Sequence, residues 1–174
     1  ASDVYKRQDN NINVSDSTLI WLHLENYHSD IVKRIYSKFE SNPGVAFIQS
    51  YYLKESFRID GVYSPDLGTP CHFCHIDRWL SREEKSFRRN EMSWANLLQL
   101  LKKYQMTLPA LALGESERGF SYHLIKRRLQ ELTGTSLVKS HVDNFMSSVS
   151  ADLITCILCK EPVIHWQACS CLER

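Results

Sequence analysis

Six cysteines grouped in three close pairs, Cys71-x2-Cys74, Cys156-x2-Cys159 and Cys169-x-Cys171, constrain this 174-residue chain more than any other feature. Two thiols separated by two residues converge on one ion from a single turn while backbone amides point at the sulfurs, which is how structural zinc is commonly held. No charged-then-apolar leader precedes a small-residue cleavage site, and no apolar run approaches the roughly eighteen residues that cross a bilayer. The expectation is therefore a cytoplasmic chain with reduced thiols, in which cysteines serve as metal ligands or core residues rather than a disulfide framework. Lys and Arg total 21 against 20 for Asp and Glu, and a net charge of +1 supplies no field that argues for nucleic acid or anionic lipid. With 43% hydrophobic and 24% charged residues the chain can bury a core, which excludes disorder as a whole.

Residues 1–8 read ASDVYKRQ and resemble the translated end of a sequencing-library adapter, so they are set aside from the fold. The expectation is a single zinc-binding α/β domain over residues 9–174, N-terminally truncated. Thr18 to Leu24 is short and apolar, as a buried strand would be. Ser29 or Asp30 can cap a helix bearing Ile31, Ile35, Tyr36 and Phe39 at helical spacing, with Asn42-Pro43-Gly44 as its stop. Val45 to Tyr52 reads as the next strand. After a Lys54-Glu55 turn, Phe57, Ile59 and Gly61 alternate with Arg58, Asp60 and Val62 as a hairpin partner. Ser64 to Gly68 is a turn.

Arg78 to Arg89 suits an exposed helix, and Ser93 can cap another with Trp94, Leu97, Leu98, Leu101 and Tyr104 on one stripe. Leu108 to Leu113 reads as a connector. A helix over about Ser116 to Leu132 places Phe120, Leu124, Leu129 and Leu132 inward and Lys126-Arg127-Arg128 outward, with Gly134 as its stop. Such a basic run is more often a solvated face than a phosphate site. Ser147 to Leu158 and Pro162 to Trp166 read as two strands joined near Lys160-Glu161. Strands at both ends with helices between define a mixed α/β class.

A tetrahedral site needs a second pair beside Cys71 and Cys74. Cys156 and Cys159 fall within a run whose strand alternation puts them on opposite faces, so they read as core thiols. Cys169 and Cys171 follow the last strand in a segment free to wrap an ion. The favoured ligands are Cys71, Cys74, Cys169 and Cys171, with His72, His75 and His165 in reserve and the ion identified as zinc from its thiolate donors. For Cys71 and Cys74 the alternative is a surface redox pair, which lacks the aromatic-Cys-Gly-Pro-Cys context. A catalytic zinc beside His72, His75 and Asp77 is a further alternative, without an accompanying HExxH or HxE pattern.

The stretch Ile59-Asp60-Gly61-Val62-Tyr63 through Gly68-Thr69-Pro70-Cys71-His72-Phe73-Cys74 resembles the approach to the first zinc pair in ubiquitin-activating-enzyme-like (ThiF-like) proteins. Glu161-Pro162-Val163-Ile164-His165 followed by Cys169 and Cys171 is similar to their final segment, except that the second pair is CxC rather than CxxC. On these residues, over about Val45 to Leu172, the chain is identified as a member of the McbB family, the zinc-binding subunits of microcin-type synthetases. The resemblance implies a ThiF-like C-terminal region whose structural zinc sits on Cys71, Cys74, Cys169 and Cys171, with no catalytic residue of its own.

It further implies a scaffold that presents a precursor peptide to a YcaO-type cyclodehydratase, which uses ATP to form azoline rings. A flavin dehydrogenase would oxidise azolines to azoles, and the assembly would be a homo- or hetero-oligomer. No GxGxxG loop is present in this sequence. The competing readings are a truncated adenylating enzyme of the same superfamily, whose Gly-rich loop would lie upstream, and a zinc-dependent nucleic-acid-binding module.

Overall fold

The computed structural model describes residues 18–86, 93–104, 106, 112–134 and 142–172. The adapter-like residues 1–8 and most of the connector at 108–113 lie outside them. Strand β1, Thr18–Leu24, has the bounds its apolar run predicts, and helix α1, Ser29–Phe39, crosses to strand β2, Val45–Leu53, which pairs parallel to β1. A crossover helix is what two parallel neighbours require. Strand β3, Ser56–Ile59, returns antiparallel to β2 after Lys54, which takes a left-handed φ of 56°. Strands β4, Ser147–Asp152, and β5, Leu158–Pro162, complete a sheet of order β1-β2-β3-β4-β5.

Strand β2 is apolar almost throughout because both of its faces are covered. On one side Val45, Phe47, Tyr51 and Leu53 pack with Val32, Tyr36 and Phe39 of α1 and with Cys71, Cys74 and Cys169. On the other, Ile48 and Tyr52 join Phe57, Ala151 and Leu124. Leu124 belongs to helix α4, Glu115–Thr133, which Gly134 ends in the left-handed conformation at φ 69°. Between the two halves run helices α2, His72–Ser86, and α3, Trp94–Lys103, and the short helix α5, Val142–Phe145, leads into β4. Ser93 caps α3, its hydroxyl accepting from the Asn96 amide at 3.1 Å.

Several local expectations are corrected. His28, not Ser29 or Asp30, occupies the cap position of α1 and makes no side-chain cap bond; Asp30 acts instead as a first-turn acid that suits the helix dipole. Strand β3 ends at Ile59, so Gly61 lies beyond it. The turn between β4 and β5 falls at residues 153–157, earlier than Lys160-Glu161, which lie inside β5. Its cause is Asp152, whose Oδ1 accepts the amides of Ile154 at 3.0 Å and Thr155 at 2.7 Å and so curls the chain out of the ladder. Residues 163–166 form no strand.

Within α4, Lys126 and Arg127 face solvent, but Arg128 is buried and Leu129 is exposed. Arg128 lies one helical step past the solvent-facing arc, and its Nη2 donates to the carbonyls of Asn144 and Ser147, the latter at 2.7 Å. The basic run is therefore a solvated face at Lys126 and Arg127 but not at Arg128. Arg128 instead ties α4 to the corner where α5 passes into β4.

Candidate metal centre

Helix α2 begins at His72, so Cys71 stands at its mouth and Cys74 in its first turn, rather than in a free turn ahead of the helix. The Cys74 amide donates to the Cys71 carbonyl at 3.1 Å, folding the pair around the helix start. The approach is fixed by Thr69, whose hydroxyl donates to the Val62 carbonyl at 2.9 Å and accepts the Ser64 amide at 2.7 Å. At the other end of the sequence, the chain leaves β5, bonds the Cys169 amide to the Trp166 carbonyl at 3.0 Å and closes in a 3-10 turn, Ser170–Leu172, whose Leu172 amide donates to the Cys169 carbonyl at 3.1 Å. That turn delivers Cys169 and Cys171 to the helix start.

The four sulfurs lie within 4.8 Å of one another. Cys71 Sγ is 3.4 Å from Cys169 Sγ and 3.9 Å from Cys74 Sγ, and Cys74 Sγ is 3.3 Å from Cys171 Sγ. Four thiolates at about 2.3 Å from one zinc stand about 3.8 Å apart at the corners of a tetrahedron, so the donor set and its spacing fit that ion. Cys71, Cys74 and Cys169 are buried and Cys171 is half-buried. Hydrogen bonding from Cys71 pulls the Cys74 thiol down to about 4, while sharing that proton raises Cys71 far above its usual range. Burial pushes Cys171 up to about 12. Cys74 thus carries the first negative charge of the cluster.

Cys156 and Cys159 do not join them. Both are exposed, Cys156 in the turn after β4 with φ 56° and Cys159 on edge strand β5, which overturns their reading as core thiols. The apolar run that suggested burial is spent in the Asp152 turn, where Ile154 and Ile157 face solvent.

The reserve histidines divide. His72 is buried, with Nδ1 on Asp60 and Nε2 3.0 Å from the Tyr27 hydroxyl, so both ring nitrogens point away from the sulfurs. His75 Nδ1 lies 2.8 Å from the other Asp60 oxygen, which also accepts the Tyr51 hydroxyl at 3.1 Å. Burial alone would raise the Asp60 carboxyl, but His72 and His75 outweigh it and hold the group well below the usual carboxylate range. This buried carboxylate escapes a sequence reading because strand alternation puts Asp60 on the polar parity. The available signal is the pair His72 and His75, one helical turn apart beside the cysteines. Asp77 is exposed at the surface, and the desolvation it does feel raises its carboxyl. His165 does approach the cluster, its Nδ1 3.9 Å from Cys74 Sγ and 3.8 Å from Cys171 Sγ.

Fold and site together define a small mixed α/β domain in which a four-cysteine cluster joins the start of a helix to the C-terminal turn. The sequence profile of the family described as microcin B17-processing protein McbB matches residues 1–173, and the chain belongs to that family. It is 96% identical over 173 residues to the Escherichia coli protein of that description, aligning 99% of this chain with 59% of the relative. A chain of the E. coli microcin synthetase McbBCD complex with pro-MccB17 bound matches at 99% identity and a TM-score of 0.79, covering 96% of this chain and 59% of that one. The same complex without that description of a bound peptide matches at 88% identity and a TM-score of 0.79, over 93% and 56%. A heterocyclase in complex with substrate and cofactor shares the fold at a TM-score of 0.51 and 17% identity, over 88% of this chain and 20% of that one. The chain thus spans about three-fifths of the length of its curated relative. Among the described residues no helix is long and apolar enough to cross a membrane.

Proposed function

We propose that this chain is a non-catalytic, peptide-presenting part of a heterocyclase assembly, with a ThiF-like fold closed by one structural zinc on Cys71, Cys74, Cys169 and Cys171. The observation that carries this reading is the 99% identity, over 96% of the chain, to a chain of a microcin synthetase complex described with pro-MccB17 bound. The tetrathiol cluster supports the zinc. Four sulfurs occupy every corner of a tetrahedron, leaving no open position of the kind a catalytic zinc keeps for water or substrate. When bound, zinc supplies a cross-link between positions that lie 98 residues apart.

In this reading ring formation belongs to partners. A YcaO-type cyclodehydratase uses ATP to close azolines on the precursor peptide, a flavin dehydrogenase oxidises them to azoles, and this chain holds the peptide within reach as one member of a hetero-oligomer. The test is co-expression with a tagged YcaO-type partner and the precursor peptide. Stoichiometric co-purification that is lost on treatment with a zinc chelator and regained with zinc is the expected result. A chain that forms azolines unaided, or that never associates with the partner, overturns it.

A further inference from the structure

His165 carries the outfit of a metal ligand without a place in the set of four. Its Nε2 lies 2.9 Å from the Gly68 carbonyl oxygen. A carbonyl only accepts, so the proton sits on Nε2 and the Nδ1 lone pair is left facing Cys74 and Cys171 at 3.9 and 3.8 Å. Histidines that ligate metals commonly donate their second ring N–H to a backbone carbonyl or carboxylate, which fixes tautomer and ring orientation in this way. The approach is rigid at both ends. The Val163 amide donates to the Met146 carbonyl at 2.7 Å, Arg78 Nη2 donates to the His165 carbonyl at 3.3 Å, and the Gly68 amide closes its own turn on the Pro65 carbonyl at 3.1 Å.

The spacing of Nδ1 from two sulfurs matches the contacts Cys71–Cys169, Cys71–Cys74 and Cys74–Cys171, which run from 3.3 to 3.9 Å. Nδ1 therefore stands one donor spacing from Cys74 and Cys171, beside the corner that Cys171 fills. Cys171 is also the one thiol of the four that is not fully buried. We propose that His165 is a built-in substitute ligand: when Cys171 is lost or modified, Nδ1 takes its corner and the site becomes Cys71, Cys74, Cys169 and His165. Cys3His is an ordinary structural zinc set, and the change requires imidazole nitrogen to settle at about 2.0–2.1 Å from the ion in place of sulfur at about 2.3 Å. The inference rests on the four-cysteine reading of the metal site and deepens it.

The test compares zinc binding by the full chain and by Cys171→Ala, His165→Gln and the double variant, using competition with a chromophoric chelator and X-ray absorption at the zinc edge. Glutamine keeps an amide N–H for Gly68 but has no imidazole. The expected result is one zinc in the wild type with four sulfurs, and one in Cys171→Ala with three sulfurs and the multiple-scattering signature of an imidazole. The double variant should bind at least about tenfold more weakly than Cys171→Ala, since losing a ligand costs no less than losing a group that orients one. His165→Gln alone should match the wild type. Equal affinity in Cys171→Ala and the double variant, a Cys171→Ala site lacking the imidazole signature, or a Cys171→Ala chain that holds no zinc or fails to fold with zinc overturns the role of His165. A wild-type chain that binds no zinc overturns the four-cysteine reading instead, so the two failures are told apart.

Discussion

Cys71 and Cys169, 98 positions apart, stand with their sulfurs 3.4 Å from each other inside the core shared by β2 and α1. The C-terminal segment reaches that position with little regular structure behind it, a 3-10 turn and a few backbone bonds. With zinc in place, removing it should release the tail first. At free zinc about a thousand times its Kd, linkage contributes about 4 kcal/mol, or roughly 8–16 °C in thermal midpoint for a domain of this size. Chelation should produce that drop, and hydrogen exchange should rise over residues 163–172 before it rises in β2. A chelated chain with an unshifted midpoint would contradict this.

The same geometry sorts the six thiols into two classes. Cys156 and Cys159 are exposed, while Cys71, Cys74 and Cys169 are buried and Cys171 half-buried within the cluster. Native alkylation in the presence of zinc should modify Cys156 and Cys159 alone, and the remaining four should react only after chelation. Peptide mass spectrometry reads the outcome directly, and early labelling at Cys71 or Cys74 with zinc present would refute it.

Asp60 is the polar centre of the core beneath α2, accepting from Tyr51 and facing Nδ1 of both His72 and His75. Its carboxyl titrates below its ordinary value in the folded chain, since the two imidazoles outweigh burial. A depressed folded value contributes stability that is complete above the unfolded value near 3.9 and is lost as pH falls through the folded one. The wild type should therefore exceed Asp60→Asn by about 1–3 kcal/mol at pH 7, the cost of leaving buried hydrogen-bond partners of the carboxylate unsatisfied. That margin should begin to shrink below about pH 5. Urea midpoints measured for both chains from pH 7 to pH 3 give the difference, and a margin that grows on acidification would have the wrong sign.

Much of this architecture is legible in the residues. Strand β1 has the bounds of its apolar run, the β2–β3 hairpin turns at Lys54-Glu55, Gly134 ends α4, and the four clustered cysteines are those the tail's freedom to wrap an ion selects. Where the structure departs from the local pattern, a tertiary partner decides. Arg128 looks solvated from its neighbours Lys126 and Arg127, yet the carbonyls of Asn144 and Ser147 at the α5–β4 corner hold it inward. Cys156 and Cys159 look buried from the apolar run around them, yet the side chain of Asp152 breaks that run into a turn. Val32 is fully buried in α1, whereas Ile31 and Ile35, which mark the helical stripe in sequence, are only partly covered. The Asp60 cluster depends on β3 ending before that residue, and strand boundaries are poorly marked in sequence.

Arg128 supplies a direct energetic check. It is 1% exposed, and truncation to alanine takes the guanidinium donor from the Ser147 carbonyl and from the Asn144 carbonyl, the latter keeping the Ser147 hydroxyl at 3.2 Å. A buried group left unsatisfied costs about 1–3 kcal/mol, so with the Ser147 carbonyl orphaned Arg128→Ala should lose about 1–3 kcal/mol, against less than about 0.5 for the exposed neighbour Lys126→Ala. Equal denaturation midpoints for the two variants would show that the corner does not need its guanidinium.

Gly61 links the sheet to the segment that carries His165. A Cβ at this position would meet the Phe145 carbonyl oxygen at 3.0 Å and Val163 Cγ2 at 3.3 Å, contacts from the α5–β4 corner and from the strand exit toward the cluster. The oxygen is backbone and cannot rotate away, so Gly61→Ala must push either β4 or the C-terminal segment outward, at about 1–3 kcal/mol. Gly119, inside α4, has nothing within 4 Å of such a Cβ, and alanine there should stabilise the chain by about 0.5–1 kcal/mol through helix propensity alone. Opposite signs in the two urea midpoints are the expected result. A neutral Gly61→Ala would mean that the close approach between residue 61 and the Phe145 carbonyl does not exist in solution.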